Sequence, residues 1–300
     1  MAGVFALAAC GGTSSPASTA QAAHFPVTLT DTSGASVTIT HQPHRIVSLS
    51  PTATEMLFAI GAGTQVVAVD DQSNYPTSAP HTKLSGFQPN VEAIAAYNPD
   101  LVVASDDTGG LVHGLAALNI PVLIEGAAKT MDDAYSQTKQ LGAATGQTAG
   151  ADYLVRLERS QITSITATLV KPTRTIKVYH ELDNTYYTAT SATFIGQVYK
   201  LLGLTNIADA AAGAAPDYPQ LSAEYIVSSN PDLIVLADTN CCQQSLGTVS
   251  ARPGWGVIAA VKTGEVINVD DDIASRWGPR VVDFLRALAP HVQEVEKRAA

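Results

Sequence analysis

Two glutamates, Glu92 and Glu224, occupy the same place in two similar segments of the chain. Residues 90–106 and 222–238 share a glutamate near the start, an Asn-Pro-Asp-Leu run and a closing aspartate, all in one register. A carboxylate repeated in this way presents two like charges on one face, which suits a two-fold partner carrying Arg or Lys. The alternative is that both are first-turn helix residues stabilised by the helix dipole. The dipole accounts for each glutamate but not for their recurrence, so the sequence favours a docking role.

Motifs that would indicate an enzyme are missing from the sequence. It contains no Gly-x-Ser-x-Gly, no phosphate loop and no His-Glu-x-x-His, and its seven histidines are scattered. Residues 270–272 are three aspartates without the spacing of a calcium cage, which is typical of a polar loop. A direct Zn or Mn receptor would need several His and carboxylates to converge, which the dispersed histidines permit but do not suggest. We therefore predict no catalysis, no resident metal and no intrinsic cofactor.

Composition excludes several further classes of protein. The chain has 300 residues, 46% hydrophobic and 15% charged, so it can bury a large core, in about two domains. Its formal net charge is -10 and no basic cluster interrupts the acidic balance, which argues against nucleic acid or anionic lipid as the main partner. No apolar stretch approaches the roughly 20 residues of a membrane-spanning helix.

Short strands and helices alternate along the chain. A hairpin is predicted over 25–39, then strands over 45–49, 65–69, 101–104 and 122–124, with helices over 50–60, 91–97 and 111–118. This alternation is typical of a parallel sheet with helices on both faces, and the repeat indicates two homologous α/β lobes. Apolar residues at helical spacing predict one long helix between the lobes, a stiff strut over 147–170.

The first residues resemble an export signal. Residues 7–10, Leu-Ala-Ala-Cys, are similar to the lipobox of bacterial lipoproteins, in which the cysteine carries lipid, and a tract of Gly, Ser, Thr and Ala follows. This predicts that residues 1–24 are a signal remnant and tether, and that lipidated Cys10 anchors the protein to the outer face of the cytoplasmic membrane. The alternative is a frayed apolar terminus with an incidental cysteine.

The remaining cysteines, Cys241 and Cys242, are adjacent. Neighbouring Cα atoms lie about 3.8 Å apart across a trans peptide, below the usual disulfide range, so a bridge would close a small ring. An exported protein tends to oxidise such a pair. We predict a vicinal disulfide that stiffens a loop, with free thiols or a soft-metal site as alternatives.

Taken together, these segments resemble the substrate-binding proteins of ABC importers for cobalamin, ferric siderophores and haem, the class with a helical backbone between its lobes. The resemblance covers nearly all of residues 25–295, and its motifs are 45–51, Thr54, Glu55, Gly61, the two Glu-led repeats, the central helix and 276–280. The segments closest to the cobalamin-binding branch are 73–76 and 218–224. The family implies two Rossmann-like lobes over 25–146 and 172–300, joined by a rigid helix over 147–171, with a ligand gripped between them.

The resemblance also implies roles for individual residues. Glu92 and Glu224 match the acidic residues that dock onto basic residues of the permease dimer, which works with its ATPase subunits. Tyr218 and Phe87 match aromatic residues that pack on the corrin ring, and flat conjugated ligands favour such apolar faces. Tyr75 is predicted to be a further ligand-binding residue.

Polar ligand contacts are expected from the second lobe. Asp272, Arg276 and Arg280 match the loop that would hydrogen bond ligand amides or carboxylates. For Arg280 a structural ion pair at the start of the last helix is the alternative, and Trp277 is either cleft lining or core. Members that bind haem would ligate iron through Tyr or His, for which the chain offers Tyr75, His113, Tyr186 and Tyr187.

The sequence thus predicts an extracytoplasmic lipoprotein, monomeric, that captures a cobalamin-like corrinoid between two lobes and delivers it to an ABC permease. The alternatives are a ferric siderophore or haem receptor of the same family, and a direct Zn or Mn receptor. A non-catalytic adhesion or signalling module would have no small-molecule cleft, and ligand-induced thermal stabilisation would distinguish it.

Overall fold

The computed structural model describes residues 24–169, 173–211, 213 and 215–299. Cys10 and nearly all of the predicted tether over 1–24 lie outside the described residues, as do residues 170 and 171 of the predicted linking segment.

The first lobe is built on a five-stranded parallel sheet. A two-stranded antiparallel hairpin, β1 (Val27–Thr30) and β2 (Ser36–Ile39), precedes it as predicted. The strands of the sheet are β3 (Ile46–Leu49), β4 (Val66–Asp70), β5 (His81–Leu84), β6 (Leu101–Ala104) and β7 (Val122–Ile124). Their order is β5-β4-β3-β6-β7. All residues of β3, β6 and β7 are buried, as expected of a sheet that helices cover on both faces.

Four helices belong to this lobe. They are α1 (Pro51–Ala59), α2 (Val91–Ala95), α3 (Leu111–Ala116) and α4 (Met131–Thr145). α1 begins directly after β3, because Pro51 presets the first turn and the Ser50 side chain accepts a hydrogen bond from the Ala53 backbone. α4 was not predicted from the sequence; a capping box between Thr130 and Asp133 starts it.

In its described residues, the second lobe repeats the first with one strand fewer in its sheet. Its parallel sheet contains β8 (Lys177–Glu181), β9 (Thr205–Asn206), β10 (Leu233–Leu236) and β11 (Val266–Asn268). The order β11-β10-β8-β9 matches β7-β6-β3-β4 of the first sheet. Its helices are α6 (Phe194–Leu201), α7 (Ala223–Ser229), α8 (Leu246–Ser250), α9 (Ala259–Thr263), α10 (Asp271–Ser275) and α11 (Val281–Ala299).

The repeat in the sequence is also a repeat of backbone hydrogen bonds. The Asp100 N–H donates to the Arg45 carbonyl oxygen at 3.0 Å, and the Asp232 N–H donates to that of Lys177 at 2.9 Å. Each aspartate carboxylate in turn accepts from the backbone N–H of the same partner residue. The aspartate of the Asn-Pro-Asp-Leu run therefore fixes β6 on β3, and β10 on β8, in the same register.

One helix, α5 (Thr148–Ala167), connects the lobes. Its 20 residues span about 30 Å at 1.5 Å per residue. It packs against α1, α4 and α11, and one apolar cluster runs from Met56 of α1 through Leu154 of α5 to Phe284 of α11. The fold class predicted from the sequence is confirmed, and the shared core predicts small movements between the lobes. Among the described helices, none has both the length and the apolar character needed to cross a bilayer.

Candidate functional site

Exposed aromatic side chains lie on loops that follow strand ends in both lobes. Tyr75 follows β4 and Phe87 follows β5 in the first lobe, while Tyr187 follows β8 in the second. Open parallel sheets bind ligands outside the carboxyl ends of their strands. These three rings and that of Tyr218 therefore belong to the candidate site, and Phe87 is the most exposed of the four at 77%.

The loop that carries Phe87 passes directly over the end of the first sheet. A Cβ atom at Gly86 would lie 2.5 Å from the Leu49 carbonyl oxygen and 2.9 Å from a carboxylate oxygen of Asp70. Because a side chain at Gly86 would clash with the ends of β3 and β4, glycine is required for this close approach. The loop is thereby pressed onto the strand ends and leaves the ring of Phe87 in solvent.

Tyr218 lies at the corresponding end of the second sheet. Its loop pairs with the segment that follows β8. The Thr188 N–H donates to the Pro219 carbonyl oxygen at 3.0 Å, and Tyr187 and Gln220 form an isolated antiparallel β-bridge. Burial of half of the Tyr218 side chain raises the pKa of its phenol, so the hydroxyl keeps its proton. Each lobe thus presents at least one exposed ring at its strand ends.

The polar residues predicted to bind ligand form a cluster that joins the two lobes. We call Glu55, Asn74, Asp272, Arg276 and Arg280 the interlobe polar cluster. Glu55 of α1 is 2% exposed and accepts two hydrogen bonds from Arg280, from Nε at 2.9 Å and from Nη2 at 2.6 Å. Arg276 Nη1 donates to the same carboxylate at 2.9 Å. A buried carboxylate of the first lobe is therefore neutralised by two guanidinium groups of the second.

Further hydrogen bonds of Arg276 complete this cluster. Its Nη2 donates to Asp272 at 2.6 Å and to the Gln72 carbonyl oxygen at 3.0 Å, and its Nη1 donates to the Asn74 side chain at 3.0 Å. The Asn74 amide in turn donates to Asp272 at 2.6 Å. The structural ion pair considered for Arg280 is thus present, with a partner in the opposite lobe. The predicted ligand contacts of Asp272, Arg276 and Arg280 stay predictions.

Glu55 and Asn74 are the residues of this cluster to which sequence reasoning gave no role of their own. A signal was available, because Glu55 is the single charged residue of α1, whose other residues are apolar, small or hydroxylated. A charge on such a buried helix requires a partner of opposite sign. The sequence could not name that partner, since Arg276 and Arg280 lie more than two hundred residues away.

Tyr75 and Trp277 flank the cluster. The guanidinium carbon of Arg280 lies 4.4 Å from the centre of the Tyr75 ring, a cation–π contact that holds one face of the ring. Trp277 packs against the shared core, and its indole Nε1 donates to the Gln137 side chain at 2.8 Å. Trp277 therefore belongs to the contact between the lobes.

Glu92 and Glu224 occupy equivalent, exposed positions in the first turns of α2 and α7. Asn90 caps α2 through a 2.7 Å hydrogen bond from the Ala93 backbone, and a serine caps α7 in the same way. No described side chain forms an ion pair or hydrogen bond with either carboxylate. Both are available to an external partner.

Cys241 and Cys242 are free thiols in this structure. They follow β10 on a loop held by Asp271, whose carboxylate accepts backbone N–H bonds from Thr239 and Cys241 at 2.9 and 3.0 Å. The disulfide predicted from the sequence is not formed here, and it stays a prediction for the oxidised protein.

The candidate iron and metal ligands are dispersed. Tyr186 stacks on buried Trp255 with ring centres 5.7 Å apart, and His113 lies on the surface helix α3. In the ranges that the structure describes, no three His, Cys, Asp or Glu side chains converge as a metal site would require. The polar loop predicted over 270–272 is instead the start of a helix: Asp270 caps α10, and Asp271 and Asp272 lie in its first turn, where they accept hydrogen bonds from Cys241 and Arg276.

Comparison with known proteins agrees with this architecture. Residues 46–273 match the periplasmic binding protein family. The chain is 32% identical to an uncharacterised ABC transporter substrate-binding lipoprotein of Bacillus subtilis, over 89% of this chain and 86% of the relative. It is 33% identical to a cobalamin-binding protein of Halobacterium salinarum, over 90% of this chain and 74% of the relative.

A solved structure shows the same fold. The periplasmic vitamin B12 binding protein of Vibrio cholerae superposes with a TM-score of 0.68 at 23% identity, covering 85% of this chain and 98% of that one. The match of the family over most of the chain, the two parallel-sheet lobes and the connecting helix agree with one another. The resemblance seen in the sequence is therefore confirmed, and the chain belongs to the periplasmic binding protein family of ABC transporter substrate-binding proteins.

Proposed function

We propose that this protein captures a cobalamin-like corrinoid between its lobes and delivers it to an ABC permease. The observation that carries the proposal is the pair of exposed rings, Phe87 and Tyr218, one at the strand ends of each sheet. A flat, conjugated macrocycle gains most from apolar faces that approach it from both lobes. The cobalamin-binding relative, 33% identical, supports this choice of ligand over the haem and ferric siderophore alternatives.

Asp272 supplies the polar contact in this proposal. Its side chain is the more accessible partner of the pair with Arg276, and a carboxylate accepts hydrogen bonds from the amide groups that surround a corrin ring. Both Nη groups of Arg276 already donate within the interlobe polar cluster, so Arg276 orients Asp272. Arg280 holds Glu55 and the face of Tyr75. The receptor itself changes no bond.

Delivery rests on Glu92 and Glu224. Each carboxylate is exposed on an equivalent helix of the two lobes, which suits a permease dimer with a basic residue on each half. ATP hydrolysis is the task of the partner's ATPase subunits. We further propose that the protein works outside the cytoplasmic membrane as a monomer, tethered through lipidated Cys10, in line with the Bacillus subtilis relative that is named a lipoprotein.

Titration of the full chain with four ligands tests the ligand assignment. Cyanocobalamin, ferrioxamine, haemin and zinc chloride are compared by calorimetry and by quenching of tryptophan fluorescence. We expect saturable binding of cyanocobalamin, weakened about tenfold in Phe87→Ala and by a smaller factor in Tyr218→Ala. The matched control is Tyr153→Ala, which removes a ring that is 61% exposed on α5.

Three outcomes would overturn the assignment. Preference for ferrioxamine or haemin would keep the transport role and replace the ligand. A response to zinc alone would move the site to the histidines. Equal losses of cyanocobalamin affinity in Tyr153→Ala and Phe87→Ala would show that the aromatic residues at the strand ends do not form the binding site.

A further inference from the structure

A second cavity lies beside the helix that connects the lobes. Its volume is about 440 Å³, within the range of small-molecule sites, and it lies between α1, α5, α11 and the loop that carries Tyr75. Most of its wall is apolar, formed by Phe58, Ala59, Leu154, Leu157, Pro279 and Val282.

This cavity is distinct from the proposed corrinoid site. α1 starts at the carboxyl end of β3 and runs away from the strand ends, and the cavity is lined by Glu55, Phe58 and Ala59 of its middle and last turns. Phe87, Tyr218 and Asp272 do not line it. Tyr75 and Arg280 do, so the cavity adjoins the back of the interlobe polar cluster.

Glu158 is the feature that gives this cavity a chemical preference. It lines the cavity on α5, is 6% exposed, and has no hydrogen-bond or ion-pair partner among the described side chains. Burial raises the pKa of its carboxyl to about 7. A buried carboxylate without a partner is unfavourable, and an opposite charge placed beside it would relieve that penalty.

The cations already present around Glu158 are engaged elsewhere. Arg280 is bound to Glu55, and Arg286 forms an ion pair with Asp283 at 2.9 Å at the cavity wall. Arg159, next to Glu158 on α5, pairs with Asp132. The phenol of Tyr135 on α4 is the remaining titratable neighbour. Within the described residues, no uncommitted cation is therefore placed to neutralise an ionised Glu158.

From this geometry we infer a second ligand site, specific for a small organic cation in which an ammonium group is joined to an apolar or aromatic body. The ammonium group pairs with Glu158, and the body fills the apolar space between α1, α5 and α11. This site goes beyond the transport function proposed above and does not depend on it.

Calorimetric titration with 2-phenylethylamine hydrochloride tests the inference. We expect saturable binding to the full chain, tighter at pH 8 than at pH 6, because Glu158 is ionised at the higher pH. The neutral analogue 2-phenylethanol should bind at least about tenfold more weakly. Glu158→Gln should lose the amine preference and its pH dependence, and Leu157→Trp should block the cavity while leaving Glu158 in place.

Asp152→Asn is the matched control, since Asp152 is an exposed carboxylate on the same helix. Cyanocobalamin is titrated separately into every variant, so that failure of the corrinoid assignment is distinguished from failure of this one. The inference is overturned if the amine gives no saturable heat up to about 5 mM, near the weak limit for a small ligand. Equal binding to Glu158→Gln, or equal binding of the neutral analogue, would overturn it as well.

Discussion

The two copies of the repeat end in the same residue, an aspartate, with opposite environments. Asp106 of the first lobe is exposed and accepts a 2.8 Å hydrogen bond from the Thr108 backbone. Asp238 of the second lobe is fully buried, and within the described residues neither carboxylate oxygen has a hydrogen-bond partner. The scaffold of the repeat is thus conserved between the lobes up to the ends of β6 and β10, and the lobes differ beyond those ends.

The difference continues on the neighbouring strands. β3 ends in Leu49, whereas β8 ends in Glu181, whose buried carboxylate forms a two-point ion pair with Arg252 at 2.6 and 2.5 Å. Arg252 also stacks over the ring of Trp255 at 4.5 Å. Similar backbones therefore end β3 in an apolar residue and β8 in a buried, charged one. Because Glu181 relies on Arg252 for its neutralisation, this ion pair should be sensitive to mutation.

The largest effect on the free energy of unfolding is expected from Arg252→Met. This change leaves Glu181 and Asp238 buried without a cation, and loss of one partner of a buried ion pair costs about 3–5 kcal/mol. Urea denaturation at pH 7 measures the free energy of unfolding. Arg174→Ala is the control, because Arg174 pairs with Asp232 near the surface and should contribute at most about 1 kcal/mol. Equal losses in both variants would show that Glu181 is solvated.

The second largest effect is the contribution of Asp238 to the pH dependence of the free energy of unfolding. Burial, reinforced by the charge of Glu181, raises its pKa from 3.8 to about 7 in the folded protein. Between these values the folded state keeps a proton that the unfolded state has released, so the free energy of unfolding falls as pH rises and the loss is complete above pH 7. Three pKa units correspond to an upper limit of about 4 kcal/mol.

Asp238→Asn should therefore remove this contribution and reduce the slope of the free energy of unfolding between pH 4 and pH 7, measured by urea denaturation across that range. Asp106→Asn, at the equivalent exposed position, should leave the profile unchanged. If the free energies of unfolding of Asp238→Asn and the unmodified chain differ by the same amount at every pH, Asp238 is ionised in the folded state throughout this range. The contrast between the two aspartates would then fail.

The third effect compares the contributions of the lobes to ligand binding. Phe87→Ala should weaken corrinoid binding more than Tyr218→Ala, because 77% of the Phe87 side chain is available for burial against 47% of Tyr218. We expect a loss of about 1.5 kcal/mol for Phe87, roughly a tenfold rise in Kd. Calorimetry with cyanocobalamin gives both values, and a larger loss for Tyr218→Ala would assign the main contact to the second lobe.

The sequence predicted what depends on local pattern. The repeat around Asn98-Pro99 and Asn230-Pro231 is visible because the residue before proline avoids helix and ends it, and both asparagines adopt φ 48°. β5 was missed because only one of its four residues is buried. α4 was missed because polar residues dominate its 15 positions.

The interlobe polar cluster could not be predicted from local pattern at all. Its bonds connect Glu55 and Asn74 to residues of the last quarter of the chain. Packing also decided the role of Tyr186, a candidate iron ligand in the sequence, which stacks on Trp255 in the structure. Such pairings depend on the relative position of the two lobes, which the shared apolar core determines.

The smallest effect on the isolated protein is expected at Glu92 and Glu224, the positions at which the lobes are most alike. Each carboxylate lies in the first turn of a short, capped helix and is exposed, so Glu92→Gln and Glu224→Gln should each lower the free energy of unfolding by less than about 0.5 kcal/mol. Corrinoid affinity should not change, because neither residue lies at the strand ends.

Measuring uptake by cells distinguishes docking of Glu92 and Glu224 onto a permease from mere stabilisation of their helices through the helix dipole. If the carboxylates dock onto a two-fold permease, each single variant should slow uptake of labelled cobalamin by cells, and the double variant should slow it further, with Kd unaltered. If each carboxylate only stabilises its helix, uptake should follow the small loss of stability. A strong effect of Glu224→Gln with none from Glu92→Gln would show that the permease contacts one lobe, and the symmetry of the repeat would then be a property of the scaffold alone.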